Sequence, residues 1–278
     1  MRRLFLLRAY GDFVIAIRAI LNSPQPSDTK IIASNHFIPL FEAINEVFDL
    51  SPLDIEFQDF GINQSLLNFF TDKQLFTFQT IRQIVKIKRY LKSNADKKYN
   101  DYLEQEKRLS VFNFLVNHKF KGIVKKENIY KTYEIFFNCI HHELKFDKGQ
   151  IKNILILPDA RTKIKTVPDF ILKDISDQLK GASINVNIAK FDNKISSSQS
   201  LLIYHNFEQL IELINKHDLV IGADSLPIHL SNLLKKPHCI LYYHNTPNDF
   251  CTLFSLENKY FVNFNNFKKE QIPFLIKK

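Results

Sequence analysis

Six glycines and ten prolines in 278 residues are too few for a collagen-like or Gly/Pro-rich low-complexity chain. Three cysteines, a small and odd number, cannot build a disulfide framework. Cys139, Cys239 and Cys251 stand far apart and form no CxxC pair. Buried thiols in a reducing compartment are the plain reading, and a structural zinc cluster is not expected. No apolar run approaches the roughly 18 residues of a membrane span. The start, Met1-Arg2-Arg3-Leu4-Phe5-Leu6-Leu7, resembles a signal peptide, but Arg8 stops the run short of the roughly 7–15 apolar residues a signal core needs. A cytoplasmic protein, peripheral at most to an inner membrane, is therefore expected. Acidic residues are in deficit: 29 Asp and Glu against 38 Lys and Arg give a net charge of +9. That surplus suits a nucleic acid, an acidic membrane surface or a phosphorylated substrate without choosing among them. No nucleic-acid motif is present, so no nucleic-acid partner is expected.

What remains is an ordinary globular composition, 45% hydrophobic and 24% charged. The length favours two domains. Residues 3–8 read as a short buried strand, Ala9-Tyr10-Gly11-Asp12 as a tight turn and Phe13 to Leu21 as a helix. Thr29 to Ser34 reads as a strand, Ile38 to Val47 as a helix, and Asp54 to Gln58 as a weaker strand. Asp72 to Ser93 has the spacing of a long helix, and the chain from there to about His142 is polar and helix-leaning. A linker is expected near 147–152. Strands at 153–157, 183–189, 218–221 and 238–243 then alternate with helices near 167–180, 206–216 and 225–235, with a Ser-rich loop at 192–200. Such alternation implies an α/β fold with mainly parallel sheets, restarted once, with domains at 1–148 and 149–278.

Three segments carry candidate chemistry. Asp12 lies in the first strand-to-helix loop, at the carboxyl edge where parallel sheets bind ligands, although an Asp there could simply cap the helix. In Gly222-Ala223-Asp224-Ser225-Leu226-Pro227-Ile228-His229, Asp224 or Ser225 would cap a helix whose free N–H groups suit a phosphate, with His229 one turn in. A well-capped structural helix with a packed histidine reads equally well. The loop from Leu157 to Pro168 brings Arg161, Lys163 and Lys165, cations fit to neutralise a diphosphate or to sit solvated, and Thr162, which could donate a hydrogen bond to it. Arg82, Lys86 and Arg89 form a basic stripe at helical spacing, either a solvated face or a contact for an anionic lipid or glycolipid. Adjacent His141 and His142 do not share a helix face and suggest no metal.

In order and spacing these segments resemble glycosyltransferase family 9, the lipopolysaccharide heptosyltransferase family. Arg3-Leu-Phe-Leu-Leu-Arg-x-x-Gly-Asp is similar to its opening strand and Gly-Asp loop. Asp218-Leu-Val-Ile-Gly-Ala-Asp-Ser-Leu-Pro-Ile-His-Leu-Ser resembles its Asp-Ser-Gly-Pro-x-His-Leu signature, with Leu226 in place of Gly. Lys165-Thr-Val-Pro168 is like its Lys-x-Trp-Pro, and Leu233 to Leu241 matches the helix end, Pro and strand that follow. Residues 50–145 carry no aligned motif. The resemblance implies two Rossmann-like domains facing a cleft, the GT-B arrangement, with the acceptor on the first domain and the nucleotide-sugar on the second. It implies an inverting, metal-independent sugar transfer, heptose-like, to a phosphorylated glycolipid or a cell-surface glycan, without a cofactor and with an ADP-linked sugar among the candidate donors. Asp12 is then the catalytic base, and Lys165, Ser225, His229, Asp224, Thr162 and Arg161 hold the donor diphosphate. Arg82, Lys86 and Arg89 are assigned to the acceptor or the membrane. Leu226, which crowds the phosphate loop, motivates the alternative of a related binding or scaffold protein without catalysis.

Overall fold

The computed structural model describes residues 1–61, 77–95, 99–104, 108–123, 128–139, 151–181, 183–191, 201–243 and 247–268. The chain forms two compact units, one of Met1–Lys126 with Lys131–His141, the other of Glu127–Tyr130 with His142–Lys278. The domain edge expected at 148 and residues 147–150 of the expected linker lie outside the described residues, as do His141, His142 and the 192–200 loop.

The first unit is a parallel sheet of strands β1 (Arg2–Leu6), β2 (Thr29–Ser34), β3 (Ile55–Gln58), β4 (Asn100–Leu103) and β5 (Lys121–Gly122), in the order β3-β2-β1-β4-β5. Helices α1 (Tyr10–Leu21), α2 (Ile38–Asn45), α3 (Phe78–Ser93), α4 (Leu109–Val116) and α5 (Ile129–Phe137) follow their strands. The short apolar runs of β1 and β2 are buried because both faces of a doubly wound sheet are covered. On one face Phe5, Leu7, Ile32, Ile87, Leu91, Phe112 and Phe120 close a core. The sheet order reverses between β1 and β4, which opens a crevice at their carboxyl ends.

The second unit repeats the plan with β6 (Asn153–Leu157), β7 (Asn185–Phe191), β8 (Leu201–Tyr204), β9 (Leu219–Ala223), β10 (His238–Tyr242) and β11 (Phe261–Asn263). Their order, β11-β10-β9-β6-β7-β8, is the Rossmann order, with its reversal between β6 and β9. Helices α6 (Asp169–Gly181), α7 (Phe207–Lys216), α8 (Leu226–Leu233) and α9 (Leu253–Asn258) complete it. The core joins Ile154, Ile156, Leu172, Ile175, Leu219, Ile221 and Leu241. Both units are thus Rossmann-like, as the strand–helix alternation predicts.

Several elements depart from the sequence expectation. The polar stretch after residue 93 contains β4 and β5. Strand β4, Asn-Asp-Tyr-Leu, carries a buried ion pair where an apolar alternation would be looked for, and β5 is two residues long. Strands β8 and β11 and helix α9 also went unread, each being three to six residues long. Helix α3 is described from Phe78, and the expected earlier start at Asp72 lies outside the described residues. The tight turn at 9–12 is replaced by the first turn of α1. Among the described residues no helix is long and apolar enough to cross a membrane. Of the thiols, Cys239 and Cys251 are buried and Cys139 is half-buried.

Candidate functional site

In the first unit the crevice between β1 and β4 is edged by the residues that follow β1. Ala9, not Asp12, occupies the cap position of α1, and no side chain caps that helix. Asp12 therefore stands in the first turn with its carboxylate not spent on capping, near the positive end of the helix dipole. Tyr10 donates from its hydroxyl to the carbonyl of His36 at 3.1 Å, which ties the α1 entry to the end of β2. Burial pushes the His36 imidazole down to about 4, against a backbone contact with Arg8. Across the crevice, at the end of β4, Glu104 accepts a hydrogen bond from the backbone N–H of Leu7 at 2.8 Å. Burial first, then the charge of Asp12, push its carboxyl up to about 8.

In the second unit parallel pairing of β6 and β9 sets Leu157 opposite Gly222, so the two following loops start side by side. A side chain at Gly222 would meet the carbonyl of Leu157 and Ile228, each at 3.1 Å, so glycine lets α8 turn back closely onto the sheet. Lys165 reaches Asp224 with Nζ to Oδ2 at 2.6 Å. The carboxylate is 8% exposed and the ammonium 33%, so this cation is fixed at its inner side and open at its outer side. The backbone N–H of Lys165 bonds the carbonyl of Thr162 at 3.0 Å, and that of Val167 bonds Pro158 at 3.0 Å. Val167 fills the core and fixes the end of the loop.

Ser225 holds the cap position of α8, yet its hydroxyl donates to the carbonyl of Asp159 at 2.9 Å, and no side chain caps the helix. The expectation that Asp224 or Ser225 caps is corrected: Asp224 is engaged by Lys165 and Ser225 stitches the two loops together. His229, buried, pairs through Nδ1 with the Tyr130 hydroxyl at 2.5 Å. Asn128 anchors the Tyr130 segment by donating to the carbonyls of Asn248 at 2.7 Å and Cys251 at 2.9 Å. Tyr130→Phe is expected to remove the histidine contact at a cost of about 1–3 kcal/mol, readable in urea unfolding. An unchanged midpoint would mean the pair is not formed.

The structure thus brings Lys165, Asp224 and Ser225 to one sheet edge, with His229 one turn into α8. Arg161 and Thr162 lie exposed on the preceding loop. Arg82 and Arg89 are exposed on α3, and Lys86 pairs with Asp59 at 2.6 Å. Sequence reasoning missed Glu104, Tyr130 and Lys190. Lys190 is a buried cation at the end of β7, 3.5 Å from Asp169. A lysine amid apolar strand residues was the one available signal. Among the described residues no group of three or more His, Cys, Asp or Glu could hold a metal.

Residues 141–272 match the model of glycosyltransferase family 9 (heptosyltransferase). Among curated proteins nothing matches the sequence. The solved structures that resemble it share the fold at low identity. The E. coli heptosyltransferase WaaC with ADP matches at 12% identity and a TM-score of 0.59, covering 98% of each chain. The family 9 glycosyl transferase of Veillonella parvula matches at 11% identity and 0.59, covering 99% of this chain and 97% of that one. The E. coli ADP-heptose lps heptosyltransferase II matches at 13% and 0.53, covering 90% and 87%.

Proposed function

We infer, from the match of residues 141–272 to the glycosyltransferase family 9 (heptosyltransferase) model, that this chain transfers a sugar from a nucleotide-linked donor to a hydroxyl acceptor with inversion. The observation that carries the reading is the Lys165–Asp224 pair beside Ser225 at the β6/β9 reversal. Asp224 aims a half-exposed ammonium, and α8 starts at the same edge, a setting that favours a diphosphate. The similar structures solved with ADP and with ADP-2-deoxy-2-fluoro heptose support an adenine nucleotide donor.

In the proposed reaction Asp12 takes the proton of the acceptor hydroxyl. The new C–O bond forms at the anomeric carbon as the bond to the nucleoside diphosphate breaks. Negative charge grows on the departing diphosphate, where Lys165 and the α8 N–H groups act, and no metal ion is needed in that scheme. A well-placed donor to such an anion contributes about 3–4 kcal/mol. Arg161, Thr162 and His229 are proposed to complete the donor side. The proposed acceptor is a phosphorylated glycolipid or glycan, with Arg82, Lys86 and Arg89 offered to its phosphates or to an anionic membrane.

A thermal-shift panel of nucleoside diphosphates and nucleotide-sugars tests the donor site. A nucleotide at 100 times its Kd adds about 2.7 kcal/mol of stability, a rise of several degrees. ADP and ADP-linked sugars are expected to give that rise. Lys165→Ala is expected to weaken their binding roughly 10- to 100-fold, the worth of a hydrogen bond to a charged group. No shift with any nucleotide would overturn the reading and leave the non-catalytic alternative, with Leu226 closing the phosphate loop.

A further inference from the structure

Glu104 is a half-buried residue whose carboxyl the reaction above does not use. It ends β4, next to β1 in the sheet, so it sits at the reversal point of the first unit beside the residues that enter α1. Its Oε1 takes the Leu7 N–H at 2.8 Å. Its Oε2 is buried and has no hydrogen-bond partner among the described residues. A bare buried carboxylate oxygen is costly, whereas a hydroxyl there places no charge out of water. Among the described residues the charged and titratable groups that act on it are Arg8 after β1, Asp12 on α1 and Tyr133 on α5.

We propose that Glu104 is a positioning residue for Asp12: its buried Oε2, without a hydrogen-bond partner among the described residues, holds a proton, so that Glu104 adds no second charge at the β1/β4 reversal where the chain enters α1. The proposal rests on the reading of Asp12 as the base. Two carboxyls set apart by their surroundings divide the acid and base roles of a site. Burial and the Asp12 charge raise Glu104 to about 8, while Arg8 and the Leu7 and Arg8 N–H groups pull it down without prevailing. Burial, then Glu104 and Asp12, push the Tyr133 hydroxyl far above its usual value, so it stays neutral beside them. The arrangement has a stability signature. Between the ordinary Glu value of 4.5 and about 8 the folded chain holds a proton that the unfolded chain has released. Stability therefore falls as pH rises through that window and levels off above it.

Infrared difference spectroscopy of the full chain with ¹³C-labelled glutamate tests this. The expected result is a neutral-carboxyl band present at pH 7 and titrating with a midpoint near 8. Glu104→Gln should abolish the band and flatten the fall in stability. Asp12→Asn, which retains Glu104, should move the midpoint down by about one pH unit or more, because a neighbouring negative charge is gone. Absence of the band at pH 7, or a midpoint that Asp12→Asn leaves in place, would overturn the pair. If the band behaves as expected while Asp12→Asn still transfers sugar at the wild-type rate, the pair stands and the reading of Asp12 as base fails.

Discussion

Asp12→Asn is expected to lower turnover about 10²- to 10⁴-fold, the usual worth of a positioned general base. The substitution keeps the shape of the side chain and removes its ability to take a proton. Asp12 is not the cap of α1, so the helix loses no capping bond. Loss of a carboxylate in the first turn costs the helix only about 0.3–1 kcal/mol. The nucleotide-induced rise in melting temperature should persist, since the proposed diphosphate contacts come from the second unit. The measurement is single-turnover transfer at saturating donor, beside the thermal shift. A variant that retains transfer within about threefold would remove Asp12 from the base role. A variant that loses the thermal shift as well would point to misfolding instead, because a merely chemical loss leaves donor binding intact.

Asp101→Ala is expected to cost the first unit about 3–5 kcal/mol, because it leaves a buried cation unpaired. Arg3 on β1 and Asp101 on β4 face each other in register. Their contact is bidentate, Nε to Oδ1 at 2.6 Å and Nη2 to Oδ2 at 2.7 Å, with Arg3 3% and Asp101 4% exposed. His118 adds a third contact to Asp101 at 2.7 Å. Burial drives the Asp101 carboxyl up, yet the hydrogen bonds from His118 and Arg3 outweigh it and hold the group below its usual value. A depressed carboxylate contributes stability above its unfolded value near 3.8, and that contribution is lost as pH falls through the folded value. Total stabilities of about 5–15 kcal/mol make this loss large enough to unfold the unit on mild heating. Urea unfolding at pH 7 reads the effect, and an Arg3→Leu/Asp101→Leu double variant should recover most of it. If the single variant loses under about 1 kcal/mol, the pair is not the buried anchor of the sheet centre.

That same ion pair explains what was and was not legible in the sequence. The runs Leu4–Leu6, Ile31–Ala33, Ile154–Leu157 and Leu219–Ile221 announce themselves, because a strand covered on both faces must be apolar throughout. With helices between them they determine two parallel sheets. They also place Asp12, Lys165 and Asp224 just after strands at the carboxyl edges, since a parallel strand followed by a helix makes its connection there. Strand β4 was hidden because one of its two buried positions is filled by Asp101, whose charge Arg3 answers from 98 residues away.

Pairing across long stretches of chain was beyond local pattern. Lys165 and Asp224, 59 residues apart, meet because β6 and β9 align Leu157 with Gly222. Tyr130 and His229, 99 residues apart, meet within the second unit, where Asn128 ties the Tyr130 segment to the carbonyls of Asn248 and Cys251. Glu104 reads as one more acid after a polar strand. Only the placement of β4 against β1 takes its Oε2 out of water and sets its Oε1 on the Leu7 N–H. Residue type fixes which groups can carry a charge, while the tertiary structure decides which charges are desolvated and which neighbours answer them.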